Sequence, residues 1–138
     1  LVLWAVAAVA ATQTRAGLWG DEPKLWADAT RQAPEKARPW LNLGRQYELL
    51  GDRAEAERLY RHALLLASDP RRPPHEASVA RALATANLAL LRCRVGDRPA
   101  ALAFIDRAVS EPHVPYTVLN VHTWLTNGHM PCSSAASF

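Results

Sequence analysis

The sequence predicts an all-α fold, an antiparallel helix-hairpin solenoid with a hydrophobic helix segment at its N-terminus. Three observations carry the prediction. Hydrophobic residues fill 49% of the 138 positions but aromatic ones only 7%, so alanine and leucine, both good helix formers, supply the apolar surface. Apolar residues recur at helical spacing, as in Trp40, Leu43, Gly44 and Tyr47, which stand at i, i+3, i+4 and i+7. No stretch alternates with the period of two that a half-buried strand requires. The length suits one domain with one modest core.

The chain opens LVLWAVAAVAAT, residues 1–12, with no charge before Arg15. It begins with leucine, so a fragment or a processed product is expected. Twelve helical residues span about 18 Å, short of a bilayer core of about 30 Å. Three readings stay open: the end of a transmembrane helix, a signal-like apolar segment, or a buried helix of the soluble domain. The lack of a polar stripe counts against the third. A polar junction, residues 13–20, follows.

The first predicted helix is Asp21 to Ala33, with Asp21 as N-cap, Pro23 in the first turn, and Leu25, Trp26 and Ala29 as the apolar face. Pro34 stops it. The second runs from about Arg38 to Leu50 and ends in the turn Gly51-Asp52. The third runs from about Arg53 to Ser68, with the stripe Ala56, Leu59, Tyr60, Ala63 and Leu64. SDPRRPP, Ser68 to Pro74, is a loop by its three prolines. A long fourth helix, Glu76 to Val95, ends in Gly96-Asp97. A fifth, Pro99 to Ser110, is broken by EPHVP. Tyr116 to Thr126 is a short sixth helix that begins a third hairpin, closed off by Asn127-Gly128. The tail GHMPCSSAASF reads as disordered.

The pattern repeats. Trp26 and Ala29, moved along by 34 residues, fall on Tyr60 and Ala63. A shift of 45 maps Asn42-Leu43 onto Asn87-Leu88, Gly51-Asp52-Arg53 onto Gly96-Asp97-Arg98, Ala56 onto Ala101, Tyr60 onto Ile105 and Ala63 onto Ala108. The excess, about 11 residues, is close to three helical turns, so it lengthens helices without rotating their faces. Glycine costs roughly 1 kcal/mol inside a helix, so Gly44 needs a reason. Two antiparallel helices pressed together at that point supply one. Gly51 and Gly96 sit where a helix end calls for a left-handed residue.

Trp40, Leu43, Gly44, Tyr47, Ala56, Tyr60 and Ala63, with Pro34 closing the half-repeat before them, resemble the tetratricopeptide repeat. The resemblance covers residues 21–112: a half-repeat at 21–34, a full repeat at 37–68, and a degenerate one at 76–112, in which Ala89 replaces Gly44, Arg92 replaces Tyr47 and Thr85 replaces Trp40. Residues 113–138 form a partial helix and the tail. The junction, with Arg15, Trp19, Asp21-Glu22, Leu25-Trp26, Pro34 and Lys36-Ala37-Arg38, is similar to that of transmembrane-and-tetratricopeptide-repeat proteins of the O-mannosyltransferase-like kind. That resemblance implies that Leu1 to Ala11 ends the last membrane helix, that the repeats stand on the periplasmic or luminal side, and that a glycosyltransferase catalytic part lies upstream.

The predicted function is protein or peptide binding by a repeat module forming the soluble C-terminal part of a larger membrane protein. The alternatives are a fragment of a membrane glycosyltransferase and a secreted or periplasmic adaptor. In such solenoids the first helix of each hairpin lines the concave side. This places Arg38, Leu41, Asn42, Arg45 and Glu48, and Leu83, Asn87, Leu90 and Arg94, toward a ligand. Asn42 and Asn87 occupy equivalent positions. An amide both donates and accepts, so a ladder of them can hold an extended backbone without reading its sequence. Arg38 and Arg45 add attraction for carboxylates, although a solvated face with Glu48 as partner is the plainer reading.

Other chemistry finds little support. The net charge of +3 comes from sixteen basic residues scattered among thirteen acidic ones, which excludes a clustered nucleic-acid face. His62, His75, His113, His122 and His129 show no HExxH spacing, and there is no GxSxG and no glycine-rich phosphate loop. No catalytic residue, metal or cofactor is expected. Cys93 and Cys132 are too few for a disulfide framework, Cys93 sits in a helical run, and the two are expected to stay unpaired. Trp26 and Trp40 are expected in the core. Trp19 suits either a membrane interface or packing on the first helix.

Overall fold

The computed structural model describes residues 21–133 and consists of six helices: α1 Glu22–Gln32, α2 Ala37–Leu49, α3 Arg53–Ala67, α4 Pro74–Arg94, α5 Arg98–Val109 and α6 Tyr116–Thr126. No described residue lies in a strand. The expected membrane-helix end or signal-like segment, residues 1–12, and the junction, 13–20, lie outside the described residues, as does the end of the tail. Among the described residues no helix is long and apolar enough to cross a membrane.

Each helix starts and stops for a chemical reason. The side chains of Asp21, Asp52 and Asp97 accept from the backbone N–H groups of Lys24, Glu55 and Ala100 at 3.3, 3.1 and 3.1 Å, capping α1, α3 and α5. Proline stands in the first turn of α1, α4 and α5, where its missing N–H costs nothing. α2 and α4 end identically. Gly51 and Gly96 take φ of +85° and +84°. Their N–H groups reach back to the carbonyls of Glu48 and Cys93, while Asp52 and Asp97 reach back to Tyr47 and Arg92. Only glycine enters that left-handed conformation without penalty, which explains both turns.

The helices pack in sequence order: α1 on α2, α2 on α3, α3 on α4, α4 on α5, α5 on α6. In addition α2 touches α4, and α4 touches α6, whereas α1, α3 and α5 do not touch one another. The layer made by α2, α4 and α6 is therefore the inside of the curve. Two apolar clusters meet at α4. One joins Leu41, Ala56, Tyr60, Ala63, Ala84 and Leu88. The other joins Ala89, Cys93, Ala101, Ile105, Val118 and Leu125. α4 is apolar on most sides because both of its flanks are covered.

Gly44 has the predicted reason. A Cβ added there would lie 2.7 Å from Cε1 of Tyr60, so the ring rests on the backbone of α2. Two expectations are corrected. Cys93 and Cys132 form a disulfide: past Gly128 the chain reverses and returns to α4, a long-range approach that spacing does not reveal. Trp26 and Trp40 are half-buried rather than core. The indole N–H of Trp40 donates to the Pro34 carbonyl at 2.9 Å, and that bond keeps the ring at the rim.

Candidate binding groove

The concave layer carries the candidate site. α2, α4 and α6 each end in a glycine of positive φ, Gly51, Gly96 and Gly128, and these three glycines put the helices in common register. Asn42 and Asn87 then occupy the same place on successive helices, and Leu119 occupies it on α6. Both asparagines are half-buried, and neither side-chain amide makes a hydrogen bond among the described residues. Leu119 is 43% exposed. The groove floor thus reads amide, amide, leucine along the stack. Its third rung escaped the sequence reading, although Gly128, which marks the register of α6, was available as a signal.

The remaining predicted groove residues separate into three groups. Arg38 and Arg45 are exposed and form no ion pair among the described residues, so two cations stand free on α2. Leu41 is corrected. It is 6% exposed and belongs to the core between α2, α3 and α4. Its register partners Ala86 and Val118 are buried too, at 4% and 1%, so this position serves the seam between hairpins in all three helices. Leu83 and Leu90 are half-buried on α4.

Arg94 has a partner. Its Nη1 stands 2.8 Å from Oε1 of Glu48, an ion pair across the α2–α4 seam that lacks hydrogen-bond alignment. The Glu48 side chain is 7% exposed. Its other oxygen accepts from the Tyr60 hydroxyl at 2.7 Å. Burial, and then the Glu48 charge beside it, pushes the Tyr60 phenol far above its ordinary range, so it stays a donor. Glu48 is therefore not a solvated partner for Arg38 or Arg45. It ties α2, α3 and α4 together at one end of the groove, and Arg94 is held there.

A second concavity, of about 310 Å³, opens between the 68–74 loop and Pro112-His113. Two of its charged side chains, Arg81 and Asp69, are engaged. Arg81 is clasped by Glu111, and the Arg71 guanidinium holds the Asp69 carboxyl down to about 2. Among the described residues no group of three or more histidine, cysteine or acidic side chains is arranged to hold a metal.

No curated protein and no solved structure matches the chain. Residues 40–74, which span most of the α2–α3 hairpin and the loop after it, match the family model described as Tetratricopeptide repeat.

Proposed function

We propose that this chain is a non-catalytic module whose groove takes an extended peptide segment of a protein partner, since tetratricopeptide repeats generally mediate protein–protein interaction. The observation that carries the reading is the pair Asn42 and Asn87, two half-buried amides in equivalent positions with no side-chain hydrogen bond among the described residues. Such a group leaves water at little cost only when a ligand supplies the bond. Arg38 and Arg45 beside them favour a peptide that carries carboxylates.

The junction resemblance supplies a finer form of this proposal, in which the repeats are the soluble part of a larger membrane protein with glycosyltransferase chemistry upstream. A secreted or periplasmic adaptor is the rival. In both forms the repeats stand in an oxidising compartment, and the Cys93–Cys132 disulfide supports that placement.

The test selects binders from a displayed library of random peptides and measures their affinity for the wild-type chain and for Asn42→Ala/Asn87→Ala. Each lost hydrogen bond, about 1 kcal/mol, should weaken binding roughly fivefold. Equal affinities for the two proteins would remove the amides from the site.

A further inference from the structure

The shift of 45 residues that carries Asn42 onto Asn87 also carries Arg38 onto Leu83 and Arg45 onto Leu90. The amide is therefore the same in both rungs of the groove, while the residues one turn before it and one turn after it change character. On α2 these flanks are two guanidinium groups, both exposed. On α4 they are two leucines, both half-buried. The arginines keep their donors for a ligand. Glu48, one turn beyond Arg45, gives its oxygens to the Tyr60 hydroxyl and to Arg94 instead. Leu83 is fixed in place, since it packs against both apolar clusters of the stack.

We infer that the groove selects peptides with two neighbouring acidic residues over α2 and two neighbouring apolar residues over α4. The inference rests on the reading of the groove as a peptide site and adds the side chains that the site prefers. Successive residues of an extended chain point to opposite sides. For a chain that crosses the helices, one side lies toward Arg38 and the other toward Arg45. These arginines are seven residues apart on one helix. That separation is about 10 Å, which puts each about 5 Å from the Asn42 rung, within reach of a glutamate side chain. Leu83 and Leu90 flank Asn87 at the same spacing. α2 and α4 touch, and the axes of packed helices lie about 10 Å apart. Three residues of extended chain, at about 3.3 Å each, span that distance. The acidic pair and the apolar pair are thus centred three residues apart, as in Glu-Glu-Ser-Leu-Leu or its reverse. The amides hold the backbone and the flanks read the side chains. A peptide shifted by one rung would set carboxylates against leucines, which offer them no hydrogen bond.

The test uses the full 138-residue chain and labelled peptides with blocked ends, Glu-Glu-Ser-Leu-Leu and its reverse between short Gly-Ser flanks, followed by fluorescence polarisation. Replacing Glu-Glu by Gln-Gln, or Leu-Leu by Ser-Ser, should each weaken binding about tenfold. Arg38→Gln/Arg45→Gln should erase the difference between Glu-Glu and Gln-Gln and leave the difference between Leu-Leu and Ser-Ser as it was. Both arginines are exposed, so this variant keeps the fold. Asn42→Ala/Asn87→Ala separates the inference from the reading beneath it, because it should weaken every peptide by the same factor. If all peptides bind equally and all lose affinity without the amides, the side-chain preference is overturned and the amide ladder stands. A preference for Glu-Glu that survives in the arginine variant overturns it as well. Binding that ignores the amides, or no binding in either chain direction, overturns the inference and the peptide site together.

Discussion

The two complete hairpins, α2–α3 and α4–α5, share a backbone plan and differ in what holds it. In the first, the Tyr60 ring lies on the bare backbone of Gly44 and its hydroxyl reaches Glu48. In the second, Ala89 stands for the glycine and Ile105 for the tyrosine, both fully buried. One methyl is gained on one helix and a ring is lost from the other, so the close approach survives with a different division of volume. The polar tie is lost, because isoleucine donates nothing. Fastenings from outside replace it. The Cys93–Cys132 disulfide anchors the chain beyond α6 to α4. Arg81 on α4 grips Glu111 beyond α5, and Ser78 Oγ accepts from the His113 N–H at 2.9 Å. A repeat can therefore lose its recognisable residues without losing its shape, provided that longer-range links take over. The stretch matched by the family model, residues 40–74, stops where those links begin.

The largest expected effect breaks the second hairpin alone. The two cysteines are 39 residues apart in sequence. Closing a loop of that size in the unfolded chain is worth about 4 kcal/mol on the chain-entropy account. Cys132→Ser, or reduction of the wild-type protein, should lower the denaturant midpoint sharply, with α5 and α6 losing exchange protection before α2 and α3. A midpoint that ignores reductant would mean that the second hairpin has some other support.

The next effect breaks the first hairpin. Gly44→Leu forces a side chain into space already held by the Tyr60 ring and should cost about 3 kcal/mol. Thermal melting followed by circular dichroism measures it. Converting one hairpin toward the other sharpens the point. Gly44→Ala and Tyr60→Ile together should cost less than the sum of the two single changes, since the pair then copies Ala89 and Ile105. Strict additivity would show that these residues do not share one packing site.

What was legible in the sequence follows the same division. All six helices are placed within about two residues of their predicted ends, because proline starts, Gly-Asp stops and apolar periodicity are local signals. α4 begins at Pro74 rather than Glu76, since a proline read as loop also serves as a first helical residue. The equivalence of Asn42 and Asn87 was legible from spacing alone. Leu41 was not, because a single helix does not say that two neighbours will cover its flank. The Glu48 carboxylate also escaped. It joins Tyr60 and Arg94 across three helices, and one helix face cannot distinguish a solvated acid from one closed in by its neighbours. Nor was the cysteine pair legible, since it depends on a reversal after Gly128.

The smallest effect tests whether the outer ion pair contributes to the second hairpin. Arg81 donates to both oxygens of Glu111, at 2.8 and 2.7 Å, and its third contact is the Ala67 carbonyl at 3.1 Å. The hydrogen bonds from Arg81 hold the Glu111 carboxyl below its ordinary range against the opposing effect of burial. A folded-state pKa below the unfolded one stabilises the protein at pH values above the unfolded pKa, and the contribution fades as pH falls through the folded value. Both side chains keep some contact with water, 29% for Arg81 and 19% for Glu111, so screening reduces the pair to about 1 kcal/mol. Urea unfolding of the wild type and of Glu111→Gln should differ by about that amount at neutral pH, and the difference should shrink as the pH falls through the lowered folded-state value of the carboxyl. A gap that stays constant across this range would assign the loss to packing at the end of α5, and the second hairpin would then rest on its disulfide and its apolar core.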